Sequence, residues 1–209
     1  LAMCADAGVE LVFVPSVEQI YGGTGAATVT VDPGESGRVL EGASRPGHFA
    51  GVLTVVAKLF HLIRPDVAVF GQKDAQQLVL IRRMVDDLDF PVRIEELATV
   101  REPDGLALSS RNRYLSAAER QTALALSRAL RAGSVLTEPT AVLAAAAAVL
   151  TGAAAADPPL QVDYLALFDP HDLSEPGADY EGEAILAVAA KVGTTRLIDN
   201  VRIKIGPGQ

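Results

Sequence analysis

The chain has 209 residues, with 18 Lys and Arg against 26 Asp and Glu, a formal charge of −8. That length allows one large domain or two small ones and a sizeable core without staples. The acidic balance argues against bulk nucleic-acid or anionic-membrane binding, and the single cysteine, Cys4, excludes an internal disulfide and any Cys-based metal cluster. One cysteine fits a reduced, cytoplasmic setting. No apolar stretch reaches the roughly 20 residues of a membrane span, and no signal peptide is visible.

Residues 1–7 (LAMCADA) read as the last turns of a helix stopped by Gly8, and Val9 to Val14 as a buried strand. A natural chain rarely starts at the tail of a helix, so this reading expects an N-terminal part to be absent. A Gly-rich turn at 21–27, a short strand at 28–31 and a polar loop at 33–46 follow. Val52, Val55, Val56, Leu59, Phe60 and Ile63 recur at helical spacing, so a helix is predicted over about 49–63. The apolar run 67–70 predicts a parallel strand buried on both faces, 75–88 a helix and 91–97 a further strand.

Beyond residue 99 the pattern changes. A polar loop at 101–113 leads to Ser116 and Glu119, the spacing of a capping box, and a helix to about Ala132. An Ala-rich helix at 139–150, a small-residue linker at 153–159 and strands at 162–168, 184–190 and 196–205 complete the chain. The expected architecture is α/β. A partial doubly wound, Rossmann-like parallel sheet (1–99) is followed by a smaller α+β two-layer C-terminal domain (100–209).

Three clusters could carry chemistry. Residues 70–77 (FGQKDAQQ) lie between a strand and a helix start. Free helix N–H groups and Lys73 favour a phosphate there, and Gln77 stands one turn along for a small polar substrate. The plainer alternative makes Asp74 a helix cap, closed by Gln77, and Lys73 a solvated lysine. Residues 108–113 (LSSRNR) gather hydroxyls and guanidiniums without an adjacent acid, which suits a phosphate clamp or simply a solvated loop. His48, in RPGHF at 45–49, is a proton donor or carboxylate ligand, or else an ordinary residue at a helix start. His61 reads as packed and His171 as solvated. Walker A, G-x-S-x-G and H-E-x-x-H signatures are absent from the sequence.

Taken together, RPGHFAGVLTVVAKLF (45–60), RPDVAVFGQKDAQQLVLIRRMV (64–85) and TVREPDGLALSSRNRYLS (99–116) resemble the pantothenate synthetase (pantoate–β-alanine ligase) family. VDYLALFD (162–169) and GTTRLIDNVRI (193–203) extend the resemblance to nearly the whole chain. It implies ATP-dependent joining of pantoate and β-alanine through a pantoyl adenylate, with Mg²⁺ assistance, in a cytoplasmic homodimer. Carried over by motif, Phe70, Gly71, Gln72, Lys73 and Asp74 line the ATP site, and Val100 meets the adenine side. Leu108, Ser109, Ser110 and Arg111 grip the phosphates, with Lys73, Ser109 and Arg111 catalytic. Gln77 and His48 hold substrate. Position 108 is Leu where the family commonly has Met, and 75 is Ala where an aromatic is common. The family's H-x-G-H signature, with the pantoate glutamine and acidic metal-binding stretch near it, has no counterpart in these 209 residues. The resemblance therefore implies a truncated enzyme with impaired activity and Mg²⁺ ligands outside this stretch. Another nucleotidyltransferase of the same superfamily and a non-catalytic ATP-binding, dimerising fragment are the competing expectations.

Overall fold

The computed structural model describes residues 1–206. It opens with helix α1 (Ala2–Asp6), where the sequence predicts a helix tail, and Gly8 follows at φ +75°. The strand expected at 9–14 does not form, and Leu11 and Val14 are exposed. Apolar side chains alone do not make a strand: the backbone needs a neighbouring ladder, and none of the described strands lies beside it. The strand expected at 28–31 is also absent. The Val31 N–H instead donates to Thr54 Oγ1 at 2.9 Å. A short helix α2 (Val17–Tyr21), held by a Ser16–Gln19 capping box, leads into the Gly-rich turn, and the loop at 33–46 folds one helical turn, α3 (Glu41–Ser44).

Helix α4 (His48–Ile63), strand β1 (Val67–Gly71), helix α5 (Ala75–Asp87) and strand β2 (Arg93–Leu97) follow in the predicted order. β1 and β2 pair in parallel, from Val67 opposite Arg93 to Gly71 opposite Leu97. The two helices share a core of Phe49, Leu53 and Phe60 with Ile81, Met84 and Val85, against which Ala68, Phe70 and Ile94 of the sheet pack. Alternation along β1 turns Val67 and Val69 the other way, where both are exposed. The run expected to be buried on both faces is therefore covered on one face among the described residues.

The second half is built as a separate layer pair. Helices α6 (Ala117–Ser134) and α7 (Pro139–Ala154) lie on an antiparallel sheet, β3 (Leu160–Phe168), β4 (Gly182–Val192) and β5 (Thr195–Ile205), in the order β3-β4-β5. The predicted Ser116–Glu119 capping box starts α6. α7 continues four residues beyond the expected 150, because alanine favours helix and Ala153 packs on the core. Gly133 lets α6 sit close to its neighbours: a Cβ there would lie 2.6 Å from Leu186 Cδ2 and 3.0 Å from the Val142 carbonyl oxygen. Leu126, Leu130, Val142, Leu186 and Val188 form this second core.

Candidate functional site

Between the two layers lies a cavity of about 220 Å³. Its walls come from chain segments far apart in sequence. The turn Gln72–Asp74, a 3₁₀ helix between β1 and α5, brings Lys73 and Asp74 to it, and the first turns of α5 add Gln77. The helix start leaves backbone N–H groups beside Lys73, an arrangement suited to an anion. Asp74 occupies the N-cap position of α5 but makes no side-chain cap hydrogen bond. The plain capping alternative for Asp74 and Gln77 is therefore not what the chain adopts.

Ser109, Ser110 and Arg111 line the same cavity. They stand at the start of a 3₁₀ turn (Ser110–Tyr114), where Ser109 Oγ accepts from the Arg111 N–H at 3.2 Å. Buried Asn112 anchors this turn by donating to the Ala107 carbonyl at 3.0 Å and to Glu102 at 2.5 Å. His48, the first residue of α4, completes the set from the sequence motifs. Arg45 Nη1 and His48 Nε2 are 3.1 Å apart, and with Arg45 donating the imidazole is neutral and accepts. Partial burial, and then the Arg45 charge, push the His48 pKa below its usual 6.5.

Five expected residues do not line this cavity. Phe70 is a core aromatic, edge-on to Phe60 with centroids 6.4 Å apart. Gly71 ends β1 at φ −77°, and a Cβ there would meet no other atom within 4 Å, so the chain itself does not demand glycine. Gln72 presents its carbonyl to Asn200 at 3.0 Å. Val100 and Leu108 lie outside the cavity but next to one another: the Leu108 N–H donates to the Val100 carbonyl at 2.8 Å, and both side chains are exposed.

The structure adds residues that the motifs did not single out. Gln76 is buried and ties α5 to the loop before α3. It donates to the Ser36 and Val39 carbonyls at 2.8 and 3.0 Å and accepts from the Glu41 N–H at 3.0 Å. Arg196 of β5 makes a bidentate pair with Glu41 at 2.7 and 2.8 Å and reaches Asp163 at 2.6 Å. These acids hold the Arg196 pKa above its usual value, and Arg196 in turn lowers that of Asp163. Burial, and then the charge of Glu41, raise the pKa of Tyr164 beside them. A visible signal existed for Asn200 and Asp199, a polar pair inside the apolar strand LIDNVRI. Among the described residues no group of three His, Cys, Asp or Glu side chains could hold a metal ion. The described side chains alone therefore do not form a closed cage for Mg²⁺.

The arrangement defines a class: an α/β protein in which a cationic helix start faces a Ser-Ser-Arg turn across a closed-in cavity, as phosphate-handling enzymes require. Comparison with known proteins narrows it. The profile of the Pantoate-beta-alanine ligase family matches residues 1–202. The pantothenate synthetase of Thermobifida fusca is 62% identical over 211 residues, covering 98% of this chain and 71% of that protein. That of Streptomyces coelicolor is 53% identical over 251 residues, covering 99% and 74%. Among solved structures, the Thermus thermophilus pantothenate synthetase superposes with a TM-score of 0.86 at 45% identity, over 96% of this chain and 72% of that one. The Francisella tularensis pantoate–β-alanine ligase, complexed with β-γ ATP and β-alanine, superposes with a TM-score of 0.70 at 29% identity, over 96% and 67%. The chain belongs to the pantoate–β-alanine ligase family.

Proposed function

We propose that the chain binds ATP, pantoate and β-alanine and serves their ligation to pantothenate, with residues 1–99 carrying the substrate layer and 100–209 a lid. In the first step a pantoate carboxylate oxygen attacks the α-phosphorus of ATP. The new O–P bond forms as the bond to the β-phosphate oxygen breaks, leaving pantoyl adenylate and pyrophosphate. In the second step the β-alanine amine attacks the acyl carbon. The C–N bond forms, AMP leaves and the amine releases a proton.

One observation supports this reading above the others: Lys73 and Ser109–Arg111, from segments on either side of β2, converge on one cavity with Gln77 and His48. Lys73 and Arg111 offset the charge developing on the transferred phosphate, with Ser109 and Ser110 as neutral donors. Asp74 lines the ribose and phosphate end. Gln77 and the neutral imidazole of His48 hold pantoate, which positions its carboxylate for attack. The cavity is smaller than the about 300–1,000 Å³ of a whole drug-sized site. It suits the triphosphate and pantoate, with Gly71 and Gln72 along the nucleotide's path and Phe70 supporting the turn from behind. The adenine then rests on the exposed pair Val100 and Leu108. The same reading makes the chain a cytoplasmic homodimer, with Mg²⁺ bound by residues other than these. Because these 209 residues hold no H-x-G-H signature, we assign them, taken alone, ATP binding and slow ligation.

The test is pantoate-dependent ATP–pyrophosphate exchange, followed by β-alanine-dependent AMP release. Exchange should be slow, require pantoate and fall by about 100-fold in Lys73→Ala. ATP binding without exchange would favour the non-catalytic fragment, and exchange driven by a different acid would favour another transferase.

A further inference from the structure

Both anion-binding segments of the cavity are tied to one dipeptide of β5. Asn200 Nδ2 donates to the carbonyls of Gln72 and Lys73, at 3.0 and 2.8 Å. Those carbonyls belong to the turn that delivers Lys73. Asp199 accepts from both guanidinium nitrogens of Arg101, at 2.7 and 2.9 Å, and from the Asn200 N–H at 2.8 Å. Arg101 opens the excursion that closes by its bridge to Ala107 and runs straight into Ser109–Arg111. Asp199 and Asn200 are each 3% exposed.

Packing alone does not account for an asparagine here. Its Oδ1 is buried and has no hydrogen-bond partner among the described residues. Such an orphan is destabilising, a cost that an apolar residue filling the same space would avoid. What asparagine adds is a forked donor with both hydrogens on the Lys73 turn. It thereby holds two backbone carbonyls of that turn with one side chain.

We infer that Asn200, braced by Asp199, is a positioning residue that sets where Lys73 stands opposite Ser109–Arg111. The inference rests on the proposed phosphate role of Lys73. It concerns donor chemistry, so shape and function can be separated: leucine has nearly the shape of asparagine without the amide donor and without a charge.

The experiment is calorimetric titration of the 209-residue chain with ATP and with adenosine at pH 8, for the wild type, Asn200→Ala, Asn200→Leu, Lys73→Ala and the Lys73→Ala/Asn200→Ala pair. Circular dichroism checks folding. Asn200→Ala should weaken ATP about tenfold, the scale of one charge-assisted contact, and leave adenosine unchanged. Asn200→Leu should lose as much. In the Lys73→Ala background, Asn200→Ala should cost nothing further. Wild-type ATP affinity in Asn200→Leu would overturn the inference, as would equal losses for ATP and adenosine or additive effects in the pair. If Asn200→Ala does not fold, Asn200→Ser takes its place with the same expected loss. A Lys73→Ala chain that binds ATP normally would instead overturn the phosphate role itself, and the inference with it.

Discussion

At the scale of single residues, His48 joins sequence, local structure and chemistry most directly. Gly47 at φ +78° turns the chain into α4, and His48 begins the helix with its ring near Arg45. Burial and the neighbouring guanidinium favour the neutral ring, which can donate one hydrogen bond and accept another. The sign of the pH effect follows. A folded-state pKa below 6.5 means that the unfolded chain takes up the proton first. The contribution to stability is therefore present above 6.5 and lost as pH falls through the folded value. An NMR titration of His48 should show a midpoint below 6.5, raised when pantoate is added, because a carboxylate favours the imidazolium. A midpoint indifferent to saturating pantoate would remove His48 from the pantoate site. The strand-to-helix turn that carries Lys73 and Gln77 is readable from sequence because it is a local feature. Asn200 stands out in the sequence only as a polar residue inside an apolar strand; its partner is not readable, because Lys73 lies 127 residues away and no periodicity records such a pair.

At the scale of elements, what is local is legible and what depends on neighbours is not. The Ser116–Glu119 box needs only its own four residues, and it forms as expected. The apolar stretch 9–14 needs a flanking strand, and it stays outside any strand and exposed. The Ala-rich α7 carries little amphipathic pattern, so its sequence alone suggests too early an end; packing of Ala153 on the core carries it on to Ala154. Gly133 in α6 shows two effects in opposition. Alanine would gain up to about 1 kcal/mol of helix propensity. The added Cβ would meet Leu186, fully buried and unable to retreat, and the Val142 carbonyl. Overpacking of this kind costs about 1–3 kcal/mol, so the clash outweighs the propensity. Gly133→Ala should lower stability in urea by about 1–2 kcal/mol. A more stable variant would show that α6 can shift away from the sheet.

At the scale of the molecule, two larger hydrophobic cores are joined by a small apolar cluster of Ala75, Phe168, Ile185 and Ala187 and by polar ties, and the candidate site lies at that joint. Arg196 of the antiparallel sheet grips Glu41 next to α4, and Arg202 grips Glu96 of β2 at 2.5 and 2.9 Å. Asn200 and Asp199 add the ties to the two segments proposed to bind phosphate. Partly buried ion pairs give little net stability, because desolvation offsets their attraction, but they admit few relative placements of the groups they join. That is what a clamp built from two segments needs. The sequence puts Lys73 on one segment and Arg111 on another; only the fold places them across one cavity.

A crystal structure of the chain with ATP and pantoate is the sharpest test of the two-segment clamp. The triphosphate should lie between Lys73 and Ser109–Arg111, with pantoate against Gln77 and His48. A triphosphate bound away from this cavity, with Lys73 and Arg111 both left in solvent, would contradict it.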